Sequence, residues 1–114
     1  VLYLGRLKGI RSAAKSLNVP LKGGFFCQVC GPNYETPAEF RVFRGMGVDA
    51  FGMSTVCEAM AANHMGMKVC GISCITNMAA GILDQPLNHK EVQAAADRVK
   101  TTFDRLVTEI VMQL

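Results

Sequence analysis

The chain has 114 residues, and half of them are hydrophobic while 18% are charged; this balance favours one folded domain over a disordered segment. Twelve basic and nine acidic residues give a net charge of +3, and the basic residues are scattered rather than grouped with aromatics, so nucleic-acid binding is not expected. No apolar run is long enough to span a bilayer and no signal-peptide pattern is present, so a membrane role is not expected either.

The first half of the chain alternates helices with short apolar strands. The first predicted helix carries apolar residues at helical spacing, at Leu2, Leu4, Leu7, Ile10, Ala14 and Leu17. The glycine-bounded run Phe25–Cys30 predicts a buried strand. A second helix is expected to begin at Thr36, with Pro37 at its first position and Glu39 completing a capping box. A second short strand is predicted at Val48–Gly52.

The second half continues the alternation. A capping box over Thr55–Glu58 predicts a third helix, and the β-branched run Val69–Thr76 predicts a third strand. A loop from Asn77 to Leu87 then leads to a last helix that opens at Asn88. The predicted fold class is α/β, with a mostly parallel sheet covered by helices in the order α-β-α-β-α-β-α. Because a sheet of three strands has unprotected edges, we expect residues 1–114 to be part of a larger domain.

The five cysteines are odd in number and lie among hydrophobic residues, at Cys27, Cys30, Cys57, Cys70 and Cys74. This usage predicts reduced, buried cysteines and a cytoplasmic protein. Cys27 and Cys30 form a CxxC pattern, which leaves a zinc or redox role as an alternative. Residues three apart on a strand face opposite sides, however, so a structural role is favoured and no metal is expected.

Three strand ends are the natural place for a ligand in an open α/β sheet. They are Gly31–Glu35, Gly52–Thr55 and Thr76–Met78. The first offers a ring and a carboxylate, the second a serine at a helix start, and the third an amide. Together these groups suit a flat polar heterocycle attached to something anionic.

Each candidate also has a simpler interpretation. Ser54 could hold a phosphate at the helix start, or Ser54 and Thr55 could only cap that helix. Asn77 could recognise the edge of a purine or pyrimidine, or it could only form a turn. His89 could contact a ligand, or it could be an exposed residue in the first turn of the last helix. Spacing alone leaves these alternatives open.

Three longer stretches, in this order, resemble one known family. They are GPNYETPAEFRVFRGMGVDAFGMSTV at residues 31–56, GISCITN at residues 71–77 and NHKEV at residues 88–92. Together they resemble the trimeric purine nucleoside phosphorylases from about Tyr3 to the end of the chain, and the chain matches about the C-terminal two-fifths of such a protein. The resemblance implies the C-terminal portion of a single phosphorylase domain, with the N-terminal part absent.

The resemblance implies phosphorolysis of 6-oxopurine nucleosides in purine salvage, yielding free purine and ribose 1-phosphate, with inorganic phosphate as co-substrate and no cofactor. Tyr34 is implied to be a wall of the purine pocket, Glu35 to accept the purine N1–H, and Asn77 to contact N7 and the 6-oxo group. Asn77 and Glu35 are the implied catalytic residues, and Ser54 the phosphate contact. The implied purine and ribose site comprises Phe26, Tyr34, Glu35, Phe51, Gly52, Met53, Asn77 and His89. A homotrimeric, cytoplasmic parent enzyme is also implied.

Two positions depart from the family pattern. Phe26 stands where relatives often have a sugar-contacting tyrosine, and Phe51 is bulkier than the usual small aliphatic residue. A methylthioadenosine phosphorylase of the same fold is an alternative, but those relatives tend to carry aspartate where Asn77 stands. A non-catalytic purine-binding or assembly fragment is a second alternative, since the family's glycine-rich phosphate loop is missing. The isolated chain is expected to have little activity.

Overall fold

The computed structural model describes residues 4–82 and 88–113, and within them it contains four helices and two strands. In chain order these are α1 (Leu4–Ser16), β1 (Phe26–Gln28), α2 (Pro37–Gly45), β2 (Ala50–Gly52), α3 (Val56–His64) and α4 (His89–Met112). The predicted contributions of Leu2 and Leu114, and the predicted end of the long loop at Leu87, lie outside the described residues.

The two strands are parallel neighbours, as the α/β interpretation requires. Phe26 pairs with Ala50, Cys27 with Phe51, and Gln28 with Gly52. Because side chains alternate across a strand, Cys27 and Phe51 face one side of the sheet and the other two pairs face the other. Helix α3 packs against β1, and aromatic side chains of α2 contact Phe51. The parallel α/β class is therefore confirmed.

The predicted third strand at Val69–Thr76 is wrong. Within the described part of the chain, this segment forms no ladder with another strand, and the sheet consists of β1 and β2. The β-branched composition was a true local signal, but a strand exists only where a neighbouring backbone supplies hydrogen-bond partners. Residues 69–82 form no helix or strand, and the next element within the described residues is α4.

The expectation of a buried first strand is also wrong. All three residues of β1 and all three of β2 are half-buried, and the adjacent Phe25 is 76% exposed. Cys27 is half-buried and the other four cysteines are exposed free thiols, so the predicted burial of the cysteines fails for the same reason. The sheet has only two strands, and the helices packed on it cover only part of each strand's surface.

The starts of the helices follow the sequence signals. Thr36 Oγ1 accepts a hydrogen bond from the Glu39 N–H at 3.3 Å, and the Glu39 carboxylate accepts from the Thr36 N–H at 2.8 Å. These bonds are the predicted capping box of α2, with Pro37 at the first helical position. At α4, the Asn88 side chain accepts from the Lys90 N–H at 2.9 Å, so this helix also begins where predicted.

The hydrophobic core lies between the first and last helices. Its buried members are Ile10, Ala13 and Ala14 on α1 and Leu106 and Ile110 on α4. Leu17, Val19 and Ile72 pack against this cluster. Ile72 belongs to the segment wrongly predicted as a strand, and its apolar side chain serves the helix pair instead. No helix in the described ranges is both long and apolar enough to cross a membrane.

Candidate functional site

Close contacts bring the three predicted strand-end loops together. A Cβ on Gly31 would overlap the sulfur of Met53, so the first loop lies directly against the second. A Cβ on Gly81, in the loop that follows Asn77, would come within 3.0 Å of Pro37 Cβ at the start of α2. The loop of Tyr34 therefore contacts the turn at Met53, and the segment after Asn77 contacts the start of α2; these contacts define one edge of the molecule.

Tyr34 and Glu35 precede the anchored start of α2. The cap fixes the backbone at Thr36, the residue that follows Glu35. The Glu39 carboxylate accepts hydrogen bonds from both the N–H and the hydroxyl of Thr36, each at 2.8 Å. These hydrogen bonds hold the pKa of the Glu39 carboxyl below its usual value. Tyr34 is 41% exposed and Glu35 is half-buried, so both side chains are accessible from solvent.

The amide of Asn77 is oriented by its neighbour. Its Oδ1 accepts a hydrogen bond from the Thr76 hydroxyl at 3.0 Å, while its Nδ2 makes a long contact of 3.4 Å to the Met78 carbonyl oxygen. The carbonyl end of the amide is thus turned toward Thr76, and the NH₂ end is the one left with donor capacity. Asn77 can therefore donate a hydrogen bond to an acceptor at this edge.

The turn at Ser54 and Thr55 is held by the side chains of Gln28 and Glu58. Gln28 Oε1 accepts from the N–H groups of Val56 and Cys57, both at 2.9 Å, and the Glu58 carboxylate accepts from the Thr55 N–H at 2.8 Å. Thr55 has a φ of 88°, an unusual value for a β-branched residue. The Ser54 and Thr55 hydroxyls lie 3.3 Å apart. Gln28 and Glu58 thus satisfy the amides at the start of α3.

The two phenylalanines that depart from the family pattern lie on opposite faces of the sheet. Phe26 lies over Gly52, where an added Cβ would be 3.0 Å from the ring; a side chain at Gly52 would displace that ring. Phe51 instead contacts Phe43 and Phe40 of α2, with ring centroids 5.5 and 6.4 Å apart. The ring of Phe51 thus supports α2, and the ring of Phe26 lies on the face shared with Gln28.

His89 is the remaining predicted site residue. It is the first residue of α4 and is exposed, and the residues immediately before Asn88 lie outside the described ranges. A separate open concavity of about 200 Å³ lies between the end of α1 and α4. It contains none of the predicted site residues; its lining is Leu17, Asn18, Val19, Pro20, Thr102 and Arg105.

The roles of two residues at this edge were not identified from the sequence. Gln28 binds the start of α3, and Thr76 orients the Asn77 amide. Both are polar residues at or near the end of an apolar run, and that position was the available signal. Within the described ranges, no group of three or more potential metal-binding side chains is present.

Known proteins resemble this chain over most of its length. The family model of the Phosphorylase superfamily matches residues 6–112. Purine nucleoside phosphorylase 1 of Bacillus subtilis (strain 168) is 59% identical over 100 residues, which is 88% of this chain and 37% of that protein. Purine nucleoside phosphorylase 1 of Geobacillus stearothermophilus is 50% identical over 113 residues, covering 98% of this chain and 41% of that one.

A solved structure gives the same result in three dimensions. The crystal structure of schistosoma purine nucleoside phosphorylase in complex with hypoxanthine superimposes with a TM-score of 0.90 at 30% identity, over 96% of this chain and 41% of that one. The chain thus spans 37–41% of the length of these relatives. The match to residues 6–112 shows that the chain belongs to the Phosphorylase superfamily.

Proposed function

We propose that this chain forms the purine-binding and part of the phosphate-binding site of a 6-oxopurine nucleoside phosphorylase. The reaction is phosphorolysis of inosine, guanosine and their deoxy forms to the free purine and the pentose 1-phosphate. The observation that carries the proposal is that the segment from Gly31 to Pro37 contacts both the turn at Met53 and the chain after Asn77, with the donor end of the Asn77 amide left for a ligand. The solved relative was crystallised with hypoxanthine, a 6-oxopurine.

The roles of the residues follow from the charge that the reaction creates. Breaking the glycosidic bond through an oxocarbenium-like transition state leaves negative charge on the purine. A donor aimed at that charge lowers the barrier, and loss of one such donor costs about 3 kcal/mol. Asn77 Nδ2 is this donor toward N7, and phosphate near Ser54 is the nucleophile. Inorganic phosphate is thus a co-substrate, and the proposed reaction needs neither a metal ion nor an organic cofactor.

Selectivity for 6-oxopurines is assigned to Glu35 together with Asn77. A carboxylate accepts the N1–H that hypoxanthine and guanine present, whereas adenine has an unprotonated N1. Tyr34 provides the wall of the purine pocket, and Met53 packs under the sugar beside Gly52. For the ribose we propose Phe26 and His89, and we propose that Phe51 shapes the pocket through its contact with α2.

A non-catalytic role for the isolated chain is the second candidate. It is favoured by the length of the chain, which covers 37% of the Bacillus subtilis relative. The two candidates are compatible, because a segment with part of a site can bind a purine weakly without turning it over. We propose that the active form is a cytoplasmic homotrimer; light scattering of an active preparation tests the trimer.

The test uses a chimera in which this chain replaces the matching segment of the Bacillus subtilis relative. The chimera is expected to release hypoxanthine from inosine only when phosphate is present, and to prefer inosine to methylthioadenosine. Asn77→Ala is expected to lower kcat by about 100- to 1,000-fold with little change in the unfolding midpoint. A preference for methylthioadenosine, or full activity in Asn77→Ala, would overturn the proposal. The isolated chain, assayed in parallel, is expected to show little turnover.

A further inference from the structure

The side chain of Gln28 joins the end of β1 to the beginning of α3. Its Oε1 accepts hydrogen bonds from the N–H groups of Val56 and Cys57, both at 2.9 Å. These partners lie 28 and 29 positions further along the chain, so the contact is tertiary and not a local helix cap. An amide oxygen has two lone pairs, and both are used here.

Val29, the residue that follows β1, holds the other end of the same turn. The Val29 N–H donates to the Gly52 carbonyl oxygen at 2.9 Å. The consecutive residues Gln28 and Val29 therefore hold the turn Met53–Thr55 from both sides. Thr55 lies within this turn at a φ of 88°, and such a backbone conformation persists in a β-branched residue only when its surroundings hold it.

We infer that Gln28 is a positioning residue for the phosphate end of the site, because its side-chain oxygen fixes the Met53–Thr55 turn and with it the Ser54 hydroxyl. The inference rests on the proposed phosphorolysis. It also changes how the anion is bound at this corner. The N–H groups of Val56 and Cys57 are already bound by Gln28, so the turn offers phosphate the Ser54 hydroxyl rather than these two amides of α3.

The side chain at position 28 affects both the stability of the turn and the binding of an anion. A glutamate would be a stronger acceptor at a helix N-terminus and would suit the helix dipole better than glutamine does. It would also place a negative charge beside the position where phosphate arrives, and like charges repel. The Glu58 carboxylate already lies at this corner, where it accepts from the Thr55 N–H, so a glutamate at position 28 would be a second negative charge there. The neutral amide of Gln28 keeps both acceptor bonds without adding that charge.

The test compares Gln28→Glu and Gln28→Met in the chimera, by steady-state kinetics with phosphate and inosine varied separately. Gln28→Glu keeps the acceptor but adds a charge near Glu58, so its unfolding midpoint is expected to fall less than that of Gln28→Met. Its KM for phosphate is expected to rise about fivefold or more at low ionic strength, with the KM for inosine changed less than about twofold. The increase is expected to shrink in about 1 M salt, where the Debye length is ~3 Å.

The second variant and a control complete the comparison. Gln28→Met has a similar length but no acceptor, so it leaves the N–H groups of Val56 and Cys57 unpaired. Faster hydrogen exchange at these two amides and a lower kcat/KM are expected, with restoration of the slow exchange in Gln28→Glu. Gln93→Glu makes the same charge change at an exposed position of α4 and is expected to leave the KM for phosphate unchanged.

The outcomes separate this inference from the proposed function. If the unsubstituted chimera releases no purine from inosine and phosphate, the proposed function fails and this inference fails with it. If that chimera is active and Gln28→Glu leaves the KM for phosphate unchanged, only the role of Gln28 is overturned. Equal losses of stability and turnover in both Gln28 variants, without an effect on phosphate, would also overturn it, because they indicate a purely structural residue.

Discussion

The helix pair α1 and α4 and the unit formed by α2, β1, β2 and α3 are held together in different ways. The helix pair encloses the buried cluster around Leu106, whereas neither α2 nor α3 contains a buried residue and both strands are only half-buried. The second unit is joined instead by directional contacts from side chain to backbone, such as those of Gln28 and Thr36. Apolar burial supplies most stability, and directional hydrogen bonds fix where functional groups point. Tyr34, Glu35 and Ser54 of the candidate site lie in the loops of the second unit, whereas Asn77 follows a segment that packs on the helix pair.

The largest expected effect comes from the helix pair. Leu106 is 2% exposed, and Leu106→Ala removes buried methyl groups and leaves a cavity, at a cost of about 2–5 kcal/mol in the free energy of unfolding. Urea denaturation measures this change in the free energy of unfolding. Val111→Ala, at a position 62% exposed on the same helix, is the control and is expected to change stability by less than about 0.5 kcal/mol. Similar values for the two variants would contradict the assignment of the core.

A smaller effect is expected at the amino end of the sheet. The Asp49 carboxylate accepts a hydrogen bond from the Phe25 N–H at 2.7 Å, and this joins the start of β1 to the start of β2. Asp49→Ala is expected to cost about 1–2 kcal/mol, as measured by urea denaturation. Asp97→Ala, on the exposed side of α4, is the matched control. A loss at Asp49 as large as that at Leu106 would break the contrast between the two regions.

The cap of α2 is expected to contribute less again. Thr36→Ala removes the acceptor for the Glu39 N–H and is expected to cost about 1 kcal/mol. Thermal unfolding followed by circular dichroism measures the change, with Thr101→Ala on the exposed surface of α4 as control. If the cap also positions Tyr34 and Glu35, the KM of the chimera for inosine rises in Thr36→Ala and stays unchanged in the control.

The smallest effect is a dependence on pH. The hydrogen bonds from Thr36 hold the pKa of Glu39 below 4.5, its usual value. A carboxyl with a depressed pKa contributes stability that is fully present above its unfolded pKa and is lost as the pH falls through the folded pKa. The contribution is therefore complete above about pH 4.5 and decreases below it. Glu39→Gln should lack this component, which unfolding midpoints between pH 3 and 6 can measure; identical pH profiles would show that Glu39 does not titrate with folding.

Local chemistry was predictable where the signal and the structure are local. Thr36 and Glu39 predicted the start of α2 because a capping box is formed within four residues. Asn88 predicted the start of α4 as an N-cap residue, and its side chain accepts from the Lys90 N–H two positions on. The parallel pairing of β1 and β2 followed from their alternation with helices. The contact between the loops that follow β1 and β2 was expected from the rule that parallel strands end at one edge.

The errors concern properties that depend on distant parts of the chain. Residues 69–76 have the composition of a strand, but composition does not provide the neighbouring backbone that a strand needs. The burial predicted for the cysteines required more covering surface than α2 and α3 supply. Gln28 was overlooked because its partners, Val56 and Cys57, are far away in sequence, and no local pattern relates them.

The position of Ile72 has a consequence for heat inactivation. This residue packs on the core between α1 and α4, and Asn77 follows it by five positions along the same extended segment. The proposed catalytic amide is thus tethered to the most firmly buried part of the chain, although its own loop is half-exposed. On heating, the proposed phosphorolysis activity should disappear when α1 and α4 separate. Stronger packing around Leu106 should therefore raise the temperature at which the site still works, although Leu106 does not touch that site.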